Sequence, residues 1–412
     1  MMLARLGLFA LVFLLTNPPA PAQEREDLPK WKIDPYTQNE PEAYKAAGYE
    51  RYHRVMLHED LSVTEVMQVL GEDMKMIWVE TEHFVIGSTL PEYKLPGDKI
   101  QKTRVTEEFE RLREKMPTLP KKAPRTLDPW LRVHLYAQRC EDVYDQVQKV
   151  LGVTDESFPA GRNSLVNGKY MGEGPNLGQR GKFVLLLTKK KATLHRFANT
   201  WCDGNFQADS PIVHNFFQQW TMLYGSSPEL AEGYLGDDAR LHANVAHGIT
   251  HAMLSGYKGY LHDMPVWLRE GIAHCIVNEI EPRYHNFVLI VDQFPNEKKL
   301  WIWEPRVRNL VKNEAAYPFS QVSQWVHPDK FRIGHHLNLW SRVDYLIKSD
   351  PEKFASFVGK MKDRIKVPGG TAVTAEQILQ RQQEAWDLVY GLSFEEFDAA
   401  WSDWVLENYS KK

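Results

Sequence analysis

His247 and His251 stand four residues apart in the run His247-Gly248-Ile249-Thr250-His251. On a helix, positions i and i+4 lie on one face, so two imidazoles spaced in this way can share one metal ion. Histidines also fall at this spacing by chance, as core or surface residues without metal, so the pair by itself is a weak signal. Glu270 follows His251 after eighteen intervening residues, 252 to 269.

Asp237 and Asp238 offer N-caps for a helix that carries both histidines to about Leu254. Pro265, a favoured first-turn residue, opens a second helix to about Glu279, and this one carries Glu270 and His274. Upstream, Met76–Val79 and His83–Ile86 read as paired strands around Glu80-Thr81-Glu82, and Phe183–Leu187 as a central strand. Helical patterns cover Thr106–Met116, Leu131–Leu151 (stopped by Gly152) and Thr193–Trp201, and one strand is expected around Phe216–Leu223. Residues 161–181 are Gly- and Asn-rich and read as loop. From about Gly334 to Tyr409 the chain is mostly helical, and Gln23 to about Tyr49 lacks apolar periodicity and reads as an extended or poorly ordered lead-in.

The two helices together resemble the core of gluzincin zinc metallopeptidases, in which a helix bearing H-E-x-x-H is followed, after a similar gap, by one bearing W-L-x-E-G-x-A. The likeness rests on His247, His251, Trp267, Leu268, Glu270, Gly271 and Ala273, with Ala246 and Ala252-Met253-Leu254 as apolar flanks. More loosely, the chain is similar to secreted bacterial proteins of the peptidase MA-like family. There, a strand like Glu82-His83-Phe84-Val85-Ile86 opens the domain, and C-terminal segments resemble Tyr390-Gly391-Leu392-Ser393-Phe394-Glu395-Glu396 followed by Trp401. The resemblance implies an α+β, zincin-like (gluzincin) domain with a small sheet and an active-site helix pair, followed by a mostly helical C-terminal region. It also implies zinc held by His247, His251 and Glu270. The expected division is a signal peptide (1–22), an N-terminal segment (23–75), the gluzincin-like domain (76–330) and a helical subdomain packed on it (331–412).

The chain departs from the family at Gly248. A glutamate there would take a proton from the zinc-bound water and pass it to the leaving nitrogen, and glycine can do neither. General acid–base help of about 10²- to 10⁴-fold is missing. Glycine inside a helix also costs roughly 1 kcal/mol relative to alanine, which marks a place where a side chain or ligand comes close to the backbone. His274 stands where relatives place an acidic residue that orients a zinc-bound histidine. It reads as an extra ligand, a hydrogen-bonding residue behind the ligands, or a polar residue at the edge of the core.

A replacement base could come from Glu229, Glu232, Asp237 or Asp263, and His335 or His336, with Tyr345, could stabilise an oxyanion. The other reading of the two histidines is a solvent-facing pair at a helix start. Trp301, Trp303 and Trp325 line a groove for a peptide or glycan, or belong to the core. The expected function is a secreted metallopeptidase-like protein that binds a peptide or protein ligand without cleaving it. The alternatives are an active zinc-dependent peptidase or hydrolase using a different base, and a scaffold in which the motif residues only pack.

Composition sets the bounds. With 412 residues, 43% of them hydrophobic, the chain can bury a large core. A net charge of −4, with basic and acidic residues interspersed, argues against nucleic acid as a partner. The apolar run Leu6–Leu15 is shorter than the roughly 20 residues of a membrane span, and with the small residues ending at Ala22 it reads as a cleaved secretory signal, hence a secreted or periplasmic protein. Three cysteines permit one bridge, for which Cys140 with Cys202 is the favoured pair, or three buried thiols.

Overall fold

Phe183-Val184-Leu185-Leu186-Leu187 is apolar at every position because both faces of its strand are covered. A computed structural model describes residues 28–202, 210–231, 238–284, 302–326, 328–367 and 372–411. The expected signal peptide, Glu232, Asp237 and Trp301 lie outside the described residues.

Six strands form one mixed sheet: β1 (Tyr49–Tyr52), β2 (Ile77–Thr81), β3 (Phe84–Ser88), β4 (Phe183–Leu187), β5 (Ile212–Phe216) and β6 (Thr221–Ser226), in the order β1-β2-β3-β4-β6-β5. β4 runs parallel to both β3 and β6, and the other neighbours are antiparallel. Successive side chains of a strand point to opposite faces. Ile77, Val79, Phe183, Leu185, Met222 and Tyr224 therefore pack on one side with the long helices, while Trp78, Val85, Val184, Leu186 and Leu223 pack on the other under the helices Val63–Leu70 and Lys191–Trp201.

The long helices are α1 (Lys99–Lys115), α2 (Pro129–Leu151), α3 (Lys191–Trp201), α4 (Asp238–Tyr260) and α5 (Val266–Ile280), and then α6 (Trp303–Lys312), α7 (Ile333–Ser349), α8 (Pro351–Met361), α9 (Ala375–Val389) and α10 (Phe394–Asn408). Their ends follow local chemistry. Asp128 caps α2 through the Trp130 and Leu131 amides, with Pro129 in the first turn, and Gly152 ends it at φ 62°. Ser393 and Glu396 make a reciprocal capping box at α10. The C-terminal motif Tyr390-Gly391-Leu392-Ser393 through Glu396 is thus a helix stop followed by a helix start. Among the described residues, no helix is long and apolar enough to cross a membrane.

The mixed α+β architecture with a helical C-terminal region is as expected, but three local expectations fail. Residues 28–49 are not an unstructured lead-in. Asp34 is fully buried against His134 (Nε2–Oδ2 3.3 Å), Pro41–Ala46 is a short helix, and Tyr49 begins an edge strand. The expected strand around Phe216–Leu223 is instead the turn of a hairpin, β5 to β6, with Trp220 left-handed at φ 52°. Residues 161–181 hold a small hairpin of their own, Leu165–Val166 with Lys169–Tyr170. The favoured disulfide fails as well: Cys140 packs with Ile77 and Val79 on one face of the sheet, and Cys202 with Trp78 and Val85 on the other. All three cysteines are free thiols, and buried.

Candidate metal centre

α4 lies against β6 and is fixed at both ends. At its start, Asp238 is buried between Arg132 (2.6 Å) and Arg139 (3.0 Å), and Arg139 also pairs with Glu108 (2.7 Å). Burial pushes the Asp238 carboxyl up, but the two guanidinium groups outweigh it and hold it well below the usual range. Toward its other end the backbone leaves the helix at Tyr257, Lys258 and Gly259. There Lys258 Nζ donates to Gly359 O and Asp363, and Lys362 Nζ donates to the Ser255 and His262 carbonyls, tying α4 to the end of α8.

α5 is set against α7 by Gly271. A Cβ there would meet Val343 Cγ2 at 2.4 Å, so only glycine permits this approach. Trp267, fully buried, anchors the same helix by donating to Gln382 Oε1 at 2.7 Å. These contacts bring Glu270 to the histidine face of α4.

His247 Nε2 and His251 Nε2 each lie 3.4 Å from a different oxygen of Glu270, and the two rings stack at 4.5 Å between centres. Both Nε2 atoms are buried and lack hydrogen-bond geometry to any partner. Metal–ligand distances of about 2.0–2.2 Å in a tetrahedron put neighbouring ligand atoms about 3.3–3.5 Å apart. Two imidazoles and a carboxylate have the donor chemistry for zinc, and each histidine stands at such a spacing from its own Glu270 oxygen, whereas the ligand atoms grouped within 4.8 Å of one another are those of His247, Glu270 and His274. Burial lowers the His251 imidazole to about 4. Burial pushes Glu270 the other way, but its two imidazole neighbours hold the carboxyl well below its ordinary value. A neutral His251 imidazole beside an ionised Glu270 is the pair of protonation states that a metal requires of these two ligands.

Gly248 faces β6. A Cβ built on it would fall 2.0 Å from Cε2 and Cζ of Tyr224, so the tyrosine ring occupies the space into which a side chain at 248 would grow. The Tyr224 hydroxyl donates to Asn244 Oδ1 (2.7 Å), which also accepts from Ser226 Oγ (2.7 Å). The expectation of a close approach at Gly248 is met by this ring.

His274 is neither exposed nor at the edge of the core. It is 2% exposed, its ring centre lies 5.2 Å from that of His247, and its Nε2 is 3.0 Å from Nδ1 of His336. His336, on α7, is 1% exposed, which overturns the solvent-facing reading for it. His335 is half-buried and stacks on Phe331 at 5.2 Å. Tyr345 packs on Phe397 and Trp404. Trp303 and Trp325 pack among other aromatic rings, as core residues do.

Of the described candidate bases, Glu229 accepts from the Lys191 amide at 2.8 Å, and Asp263 is half-exposed beside Arg269. No sequence signal points to Tyr224, because a strand residue covering a helix glycine is a purely tertiary contact. Compared with known proteins, the chain matches no family model, no curated protein and no solved structure.

Proposed function

We propose that this chain is a secreted or periplasmic, gluzincin-like protein that binds zinc through His247, His251 and Glu270 and engages a peptide or protein ligand without hydrolysing it. The observation that carries this reading is the Tyr224 ring over Gly248, since the seat of the general base is filled by a side chain that cannot do the base's work. Burial pushes the Tyr224 phenol up, so it stays protonated and accepts no proton near neutral pH. Zinc, when bound, would supply Lewis acidity and a water of lowered pKa. The protein's part is to hold the ion with two imidazoles and a carboxylate, and it brings no carboxylate to position 248. A zincin-like arrangement of sheet and helix pair is part of the same proposal.

The test is zinc content by mass spectrometry of the mature protein purified without chelators, with His247→Ala and Glu270→Ala alongside, followed by peptidase assays. Near-stoichiometric zinc, lost in both variants, with no turnover by the wild type, is the expected result. Peptide cleavage by the wild type that disappears in His247→Ala would overturn the non-catalytic reading. A folded wild type free of zinc would overturn the metal.

A further inference from the structure

Away from α4 and α5, a second group of ligand side chains meets at the turn between β2 and β3. Ligand atoms of Glu82, His83 and Asp155 all lie within 4.8 Å of one another. Glu82 and His83 form that turn, and Asp155 follows the Gly152 stop of α2, so the fold brings two separate segments together here. The imidazole is held from behind. His83 is 8% exposed, its ring stacks on Tyr144 at 3.7 Å between centres, and its Nδ1 is 2.6 Å from Glu141 Oε2. The other oxygen of Glu141 accepts from the His83 backbone amide at 3.2 Å. With Nδ1 committed to a carboxylate, Nε2 is the nitrogen left for a ligand, and it faces Asp155 Oδ1 at 3.4 Å. Neighbouring ligand atoms of a zinc tetrahedron are about 3.3–3.5 Å apart. Gln148 Nε2 donates to the same Asp155 oxygen at 2.7 Å, and the Tyr144 hydroxyl donates to it at 3.4 Å, which orients that carboxylate too.

We propose that His83, Asp155 and Glu82 form a second divalent-metal site, which ties the β2–β3 turn to the segment that follows α2. Glu141 stands behind His83 as carboxylates do behind other metal-bound histidines, fixing tautomer and ring orientation so that Nε2 points to the ion. The exposed Glu82 side chain rotates to complete the set. Burial lowers the His83 imidazole, but Glu141 and Asp155 outweigh it and raise it overall, and an incoming ion takes the place of the Nε2 proton that they favour. An imidazole nitrogen among the ligands selects a transition ion such as zinc over magnesium or calcium, which prefer oxygen throughout. Glu82 is exposed and Asp155 half-exposed, so this ion exchanges with solvent and is lost in a purification that leaves the centre at α4 and α5 filled. The site shares no residue with that centre, and it stands whether or not zinc binds there.

The experiment titrates Zn²⁺ by calorimetry into the mature His247→Ala protein, which lacks a ligand of the first centre, and follows the melting temperature alongside. One equivalent of Zn²⁺ is expected to bind and to raise the melting temperature, and Ca²⁺ at the same concentration to do neither. In the same background Asp155→Asn abolishes uptake, and Glu141→Gln, behind the histidine, weakens it about 10- to 100-fold. Glu82→Gln weakens it at least as much, and because Glu82 is exposed this variant folds even if a substitution at the half-buried positions does not. A folded His247→Ala protein that takes up no Zn²⁺, or uptake that Glu82→Gln and Asp155→Asn leave unchanged, overturns the second site. Neither result touches the first centre, which is read from the zinc that the wild type carries as purified.

Discussion

The ring of Tyr224 and the backbone of Gly248 occupy adjoining space so closely that a single added carbon on the glycine would lie 2.0 Å from two ring atoms. Alanine is the better helix former by roughly 1 kcal/mol, yet Gly248→Ala is expected to lower stability, because overpacking a closed core costs about 1–3 kcal/mol. Tyr224→Ala in the same chain should recover part of that loss. Urea unfolding of the two single variants and the double variant measures the coupling, and additive effects would show that the ring is not the obstacle. The corollary for activity is that Gly248→Glu alone cannot restore a base, and only the pair Tyr224→Ala with Gly248→Glu tests whether the rest of the cleft survives.

Stability should rise with pH in two separate windows in the metal-free protein. Burial lowers the imidazoles of His251, His262 and His336 to about 4, from an ordinary 6.5, and lowers the Lys362 ammonium to about 7. In each case the folded protein binds fewer protons than the unfolded chain, so stability falls as pH drops from 6.5 to 4, and rises from about 7 upward. Burial also lowers His83, but its bond to Glu141 outweighs this and raises it overall, which gives it the opposite sign above 6.5. The Lys362 contribution is therefore read as the difference between wild type and Lys362→Met, from pH 7 to about 8.5, where unfolded cysteines begin to ionise. His262→Gln keeps a donor for the Met361 carbonyl, now 2.6 Å from His262 Nε2, and should remove about one proton of uptake on the acid side. Urea midpoints across pH decide this, and variant curves parallel to the wild type would refute it.

Asp238 pairs with both Arg132 and Arg139 in the buried network around α4, and Arg139 pairs with Glu108 as well. Asp238→Ala leaves guanidinium groups only 3–4% exposed without that charge, so a loss of about 3–5 kcal/mol is expected. The exposed Arg111–Asp142 pair makes the control: Asp142→Ala should cost no more than about 1 kcal/mol. Equal effects in thermal or urea unfolding would show that burial is not what gives the network its weight.

The three thiols should be silent. A thiol reagent added to the folded protein is expected to titrate almost none of Cys140, Cys202 and Cys275, and all three after denaturation, because each is buried. Reductant should leave the melting temperature unchanged. Two missing thiols in the denatured protein would reveal a bridge.

Much of this was legible in the sequence wherever the signal is local. Helix ends fell where Gly152 and Pro265 marked them, and the apolar run of β4 announced a central strand. The β5–β6 hairpin was missed because its turn, Phe217-Gln218-Gln219-Trp220, contains no glycine, proline or asparagine to mark it. At the metal centre, helix periodicity put His247 and His251 on one face, and Glu270 was nominated by the resemblance of Trp267-Leu268-Arg269-Glu270-Gly271-Ile272-Ala273 to the second gluzincin helix. The burial of His336 is different in kind. It depends on α7 packing on α5, more than sixty residues earlier in the chain, and no local pattern carries that. Gly248 lies between the two cases: its cost to the helix signalled a close neighbour, but nothing in the sequence named Tyr224.

The seating of α7 on α5 also limits how this protein can be divided. One helix carries His336, which touches the imidazole of His274, and Val343, which lies against Gly271 beside the ligand Glu270. The C-terminal helices are thus no detachable appendage that could be trimmed, swapped or borrowed by another protein while the centre stays intact. In evolutionary terms the two regions are a single inheritable unit, and sequence drift in either is constrained by the other.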